Sequence, residues 1–284
     1  MLVVTGATGQ LGRLVVEDLL ERGVTPADIT ATGRDLARLE PLAERGVRTA
    51  VLDYDAPEAS ADILTGADVL LLVSSTETGP KRVRQHSAVI EVAKDSGTGR
   101  IVYTSAPHAD IAKLVPAPDH KATEEFLRAS GVSYTITRIN WYTENYAYTF
   151  EQSKTSGEVL SSAGAGRVAS APRADYAAGI AAVMLDPATT GKTLELSGDV
   201  AWAFDDLAAV FTEVLGRPVA VRQLDREAHL SVLKEAGFDD TMAAALAELD
   251  ANIRDGALAD ATSTLRALIG RPTQSLLQTV RSWD

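Results

Sequence analysis

The chain contains no cysteine. Disulfides, thiolate metal sites, redox thiols and cysteine nucleophiles are therefore excluded together. No apolar run approaches the ~20 residues that a bilayer-spanning helix needs. Basic residues are outnumbered, 27 Lys and Arg against 39 Asp and Glu, for a formal net charge of -12. A surface of that sign repels phosphate backbones, so nucleic acid is not expected as a partner, although one local basic site for a phosphorylated small molecule remains compatible. The four histidines, His86, His108, His120 and His229, are too scattered for a metal motif. The opening MLVVTG enters a strand directly, without the basic region and apolar core of a signal peptide. The expectation is a cytoplasmic protein with no membrane insertion, either a monomer or a homodimer.

The 284 residues, 45% hydrophobic and 23% charged, suit one large globular domain or two smaller ones. Short apolar runs (LVVT, DITAT, RTAVLD, DVLLLV, RIVYTS, VSYTITR) alternate with amphipathic stretches such as LGRLVVEDLLERG and HKATEEFLRASG. That alternation predicts right-handed βαβ units and a doubly wound parallel sheet of the Rossmann type, in an α/β fold. After Arg138 the rhythm changes to an aromatic stretch, NWYTENYAYTF, a Gly/Ala/Ser segment, and then mostly helix. The expected division is a dinucleotide-binding unit over residues 1–140, taking in roughly 167–186. A smaller, mostly helical unit would cover 141–166 and 187–284.

Gly6, Gly9 and Gly12 fall three apart in VVTGATGQLGRLVVEDLL, where the first strand passes into the first helix. Glycine costs a helix roughly 1 kcal/mol against alanine, so this run needs a reason. In a strand–turn–helix unit the first glycine permits the tight turn, the second lets the backbone approach a pyrophosphate, and the third lets helix and strand pack closely. The amides of Thr8, Gly9, Gln10 and Leu11, next to Ala7, then lie at a helix N-terminus, where partial positive charge favours phosphate. Dinucleotide binding is the reading; the spacing is GxxGxxG rather than the GxGxxG of many NAD enzymes.

The end of the second strand chooses the dinucleotide. NAD binders place an acidic residue there to accept from the ribose hydroxyls. Here the segment reads ITATGRD, with Gly33 and Arg34 in that place. A guanidinium pairs with a 2′-phosphate, which points to NADPH. Asp35 is read as the cap of the following helix. Asp53 suits the adenine edge or a turn about equally. Ser74, Ser75 and Thr76 end the fourth strand, where the cofactor would cross the sheet edge.

Taken together, GATGQLG, LLLVSST, YTSAPHAD, YTITRINWYTENY, RADYAAGIAA, LELSGDVAW and LIGRPTQSL resemble the NmrA-like branch of the atypical short-chain dehydrogenases. Within it the likeness is to the bacterial type-2 NADPH:quinone oxidoreductases. The resemblance covers the whole chain. It implies cofactor contacts at Gly6 to Leu11, Arg34, Ser74 to Thr76, the loop Asn140, Trp141, Tyr142, Thr143 and Glu144, and Arg173. It also implies hydride transfer to a quinone without flavin. The wider family's catalytic YxxxK is missing, because none of the seven tyrosines has a lysine four residues on. No catalytic residue is therefore assigned. Alcohol and ketone chemistry needs an alkoxide to be protonated; a hydroquinone anion is a weak base that takes its proton from water.

The aromatic stretch fits a flat, quinone-like substrate, since five of the fifteen aromatic residues lie in it. Trp141 and Tyr142, nearest the strand end, are expected to line the substrate site. Tyr146, Tyr148 and Phe150 are expected to tie the two units together. Asn145 is placed either to orient a substrate oxygen or to cap a helix. His108 is a candidate hydrogen-bonding partner of substrate or a surface loop residue, and Ser105 a candidate polar neighbour of the nicotinamide. Two other functions fit the same scaffold, a redox sensor that binds the cofactor without turnover and an isomerase or reductase of another small molecule.

Overall fold

The structure is a computed structural model and describes residues 1–283. Its centre is a seven-stranded parallel sheet built from β1 (Leu2–Val4), β2 (Ile29–Gly33), β3 (Arg48–Val51), β4 (Val69–Leu72), β5 (Arg100–Ser105), β6 (Ser133–Ile139) and β9 (Thr193–Leu196), in the order β3-β2-β1-β4-β5-β6-β9. β1, β2, β4 and β5 are buried along their whole length. Strands covered on both faces read as unbroken apolar runs, which is why LVV and VLLL were legible. β1 pairs with β2 on one side and β4 on the other, so the chain reverses its direction of travel across the sheet at β1. That switch point is where open α/β sheets bind ligands.

Helices α1 (Gln10–Glu21) and α7 (Arg173–Leu185) cover one face of the sheet, with α2 (Glu40–Ala43) near its β3 edge. The other face carries α3 (Ala61–Leu64), α4 (Gly79–Asp95) and α5 (Ala117–Ala129). α1 buries Leu11, Val15, Val16 and Leu19, a stripe at helical spacing. α7 is anchored at its far end by Arg100 of β5. That guanidinium donates to the carbonyls of Val183, Met184 and Asp186 at 2.7–3.1 Å, taking up acceptors that the helix end leaves unpaired.

A second core lies beyond the sheet. It gathers Tyr146, Phe150, Val159, Trp202, Phe204, Leu207 and Phe211. Tyr146 comes from the turn before α6 (Ala147–Ser156), and the others from α6, β7 (Glu158–Ser161), β10 (Trp202–Ala203) and α8 (Phe204–Leu215), with Val168 of β8 (Arg167–Val168) in the same cluster and Val221 of β11 (Ala220–Gln223) packed against it. β7 pairs with β11 and β8 with β10, each as a two-stranded piece. α9 (Arg226–Glu235), α10 (Asp240–Arg254) and α12 (Leu276–Arg281) complete this region, whereas α11 (Thr264–Ile269) packs back on α7. Among the described residues no helix is long and apolar enough to cross a membrane.

The expected boundary needs one correction. Residues 187–284 do not all belong with the helical unit, because β9 hydrogen-bonds to β6 as the seventh strand of the main sheet.

Candidate functional site

The turn after β1 is shaped by close approach. Gly6 has φ +60°, in the left-handed region that side chains rarely adopt. A Cβ at Gly12 would sit 2.6 Å from the Gly6 carbonyl oxygen, so the helix packs against the turn only because no side chain intervenes. At Gly33 the constraint is softer, since a Cβ there would lie 2.5 Å from the Thr8 methyl, a side-chain atom that rotation can move. The two glycine positions bring the ends of β1 and β2 together. No side chain caps α1 and no acidic residue occupies its first turn. Its amide end therefore stays open to an anion.

Above this turn lies a cavity of about 430 Å³. Its floor is the Gly6–Gly12 turn; Arg34 of the β2 end and Leu52, Asp53 and Tyr54 beyond β3 also line it. So do Val73 to Glu77 after β4, Gln85 of α4, and Tyr142 with Arg173. Tyr54 donates to the Val73 carbonyl at 2.7 Å, stapling the loop after β3 to the end of β4. Ser75 donates its backbone N–H to Nε2 of the buried His86 at 2.9 Å. Two lining atoms are buried without a hydrogen-bond partner, Ser75 Oγ and Gln85 Oε1. Asp35 accepts from the Ala37 N–H, so it caps the turn after Arg34 and stands aside from it.

Tyr142 and Arg173 form one unit. The Arg173 guanidinium lies over the Tyr142 ring, 4.7 Å from its centroid. Glu144 accepts from the Arg173 backbone N–H at 2.9 Å, and Asn145 Oδ1 accepts from its side chain at 3.3 Å. Burial pushes the Tyr142 hydroxyl up to about 12, against the pull of Arg173 and with a push from Glu144. At neutral pH it is a protonated phenol. The cavity thus offers an open helix N-terminus, one guanidinium at each of two separate walls, and a length of lining that reaches across the sheet edge. A dinucleotide with an extra phosphate fits that donor set.

A family model for NAD(P)H binding matches residues 6–187. The chain belongs to the NAD(P)H-binding, NmrA-like family. It is 40% identical to quinone oxidoreductase 2 of Escherichia coli over 99% of this chain and 97% of that one. The crystal structure of that NADPH-dependent enzyme with NADPH superposes with a TM-score of 0.95, over 99% of both chains. The Citrobacter triphenylmethane reductase, solved with NADP(H), is 31% identical with a TM-score of 0.95, over 100% of both chains.

The NmrA-like expectations divide by location. Gly6, Thr8, Gly9, Gln10, Leu11, Gly12, Arg34, Ser74, Ser75, Thr76, Tyr142 and Arg173 all line the one cavity. Ala7 is buried beneath the turn. Asn140, Trp141, Thr143, Glu144 and Asn145 stand outside the lining. Asn140 donates to the Leu258 carbonyl, Thr143 shares a hydrogen bond with Ser170, and Trp141 packs on the second core. Asn145 caps no helix; it is held by Arg173. Tyr146 and Phe150 are buried in the second core against Trp202, Phe204 and Phe211. Tyr148 is exposed with its ring near Phe238.

Two expectations meet a different environment. The Ser105 hydroxyl donates to Glu124 at 2.6 Å, inside a buried ion pair in which Arg138 grips both Glu124 oxygens at 2.7–2.8 Å. Burial pushes the Glu124 carboxyl up, but the hydrogen bonds from Arg138 and Ser105 outweigh it and hold the group below its usual range. Ser105 is thus a member of that network. His108, the one non-glycine residue of positive φ (+47°) among those described, sits between Glu195 and Asp260. Its ring is engaged there, outside the cavity.

Leu52, Tyr54 and Gln85 line the cavity without having been singled out from the sequence. Tyr54 directly follows Asp53 and carried a local hint. Leu52 and Gln85 carried none, because only the fold brings α4 beside the end of β3.

Proposed function

We propose that this chain reduces quinones, or related conjugated carbonyls, with NADPH as the hydride donor and without flavin. The observation that carries the reading is the cavity along the β1/β4 switch point, with Arg34 on one wall and the Tyr142–Arg173 pair on another. The full-length likeness to quinone oxidoreductase 2 supports the same reading. In this assignment the Gly6–Gly12 turn and the free amides of α1 hold the pyrophosphate. Arg34 pairs with the 2′-phosphate, and the hydroxyls of Ser74, Ser75 and Thr76 follow the cofactor over the sheet edge. The loop from Asn140 to Glu144, with Arg173, positions the nicotinamide half. Tyr142 is the wall nearest to a flat acceptor, and Asn145, held by Arg173, stands beside it.

The reduced nicotinamide supplies the hydride when bound. The chain's own contribution is positioning, worth most when acceptor and donor are held face to face. Reduction leaves a hydroquinone anion that draws its proton from water, which agrees with the missing YxxxK. Tyr142 has a protonated hydroxyl near this end of the cavity, so Tyr142→Phe separates a wall from a proton donor. We expect the variant to keep kcat within about twofold.

The deciding experiment follows NADPH absorbance with flavin-free protein and a panel of benzoquinones, naphthoquinones, enones and aldehydes. Many turnovers with quinone, and negligible oxidation of simple alcohols, are expected. Tight NADPH binding with no rate above the protein-free mixture would make the chain a cofactor sensor.

A further inference from the structure

At the β3 end of the cavity several acceptors crowd together, and all but one are either engaged or open to solvent. Asp53 Oδ1 accepts the Asp55 N–H at 3.1 Å, closing its own turn. Asp55 Oδ1 accepts from Gln85 Nε2 at 2.8 Å, and its other oxygen lies 3.7 Å from Lys81. Glu77 is held by Lys81 at 2.9 Å. The exception is Gln85 itself. The carboxylate of Asp55 accepts the amide's NH₂ and so fixes which way round the amide lies, because the opposite orientation would set oxygen against oxygen. Gln85 Oε1 is left buried with no donor, in a residue only 6% exposed that lines the cavity. Ser75 Oγ, the other orphaned lining atom, is a hydroxyl that donates as readily as it accepts. It cannot distinguish one base edge from another.

We infer that Gln85 reads the cofactor's base, its Oε1 accepting from the exocyclic amine of adenine. The inference rests on the reading of this cavity as an NADPH site and adds the residue that selects the base. A buried acceptor without a partner is costly, and an amine donor removes that cost. A 6-oxo base in the same place presents an acceptor instead, lone pair against lone pair. Discrimination of this sort, where the wrong ligand leaves a buried polar group unpaired, is stronger than discrimination by shape. Leu52, buried beside this end, supplies an apolar wall for the base.

The test compares NADPH with its reduced hypoxanthine analogue, in which the 6-amino group is replaced by oxygen, by calorimetric titration. The unmutated protein should bind NADPH at least about tenfold more tightly than the analogue. Gln85→Leu and Gln85→Met should bring the two affinities within about twofold, with the loss falling on NADPH. Two variants of different shape guard against one failing to fold. Equal affinities in the unmutated protein overturn the inference, as does an unchanged ratio in a folded Gln85 variant. A ratio lost in Asp53→Ala but kept in the Gln85 variants overturns it too, by assigning the amine to Asp53. Failure of the unmutated protein to bind NADPH at all would overturn the cavity reading itself, and this inference with it.

Discussion

Arg34 shows how much one residue decides. It directly follows β2 with an exposed side chain at the cavity wall, and Asp35 beside it is turned away into a cap. A guanidinium free of a local carboxylate is available to a 2′-phosphate, as a charge-assisted and bidentate contact. Arg34→Ala should therefore remove roughly 1.5–3 kcal/mol of NADPH affinity and leave NADH binding almost unchanged. Titration of both cofactors against both proteins checks this; equal NADPH and NADH affinities in the unmutated protein would refute it. Gly12 decides in the opposite way, by what it lacks. Alanine there meets the Gly6 carbonyl at 2.6 Å and forces the turn to move. Gly12→Ala is expected to weaken NADPH by more than tenfold, because the displaced amides are the ones that face the phosphates.

At the scale of elements, α4, α5 and β5 are locked by buried imidazoles. His86 of α4 takes the Ser75 N–H on Nε2, so its proton lies on Nδ1, 3.1 Å from the Thr123 hydroxyl of α5. Tyr103 of β5 contacts Nδ1 of His120 at 2.7 Å. Burial, with Arg82 beside both rings, pushes His86 and His120 down to about 3. An unfolded histidine titrates near 6.5. Between about pH 6.5 and 3 the unfolded chain thus binds more protons than the folded one, and stability falls as pH falls. The contribution is complete above about pH 6.5 and drains away below it, by about 2 kcal/mol per histidine between pH 7 and 5. Urea unfolding at pH 7, 6 and 5 should show that slope, and His120→Asn should halve it. A flat profile would mean that these rings remain open to protons in the folded chain. Because Ser75 hangs from His86, the same acidification should loosen the cavity loop before the sheet melts.

At the scale of the whole molecule, legibility followed range. The Rossmann half was readable because each unit is local: an apolar strand, a turn, an amphipathic helix. The GATGQLG turn, Arg34 and the SST strand end were readable for the same reason. β9 was not, since TLEL looks like any short strand and only its pairing with β6 puts it in the sheet. The Ser105–Glu124 hydrogen bond was not legible because the two residues lie 19 apart on different elements. Gln85 was invisible until α4 was seen packed beside the β3 end. The same division by range governs how the molecule should respond to its cofactor. Every lining residue of the cavity belongs to the sheet half or to the Tyr142–Arg173 bridge, while α9 and α10 meet the end of β7 through a separate buried cluster in which Asp250 accepts from Ser161 and Ser162 and His229 joins Ser162. A ligand stabilises what it binds, by about 2.7 kcal/mol at a hundredfold excess over Kd. Local opening free energies differ between such regions. NADPH should therefore slow amide hydrogen exchange in residues 6–12, 33–34, 52–54, 73–77 and around Tyr142 and Arg173, and leave residues 226–254 unchanged. Protection spreading equally into α9 and α10 would show that the two cores open as one, and that the helical region closes over the cofactor rather than standing beside it.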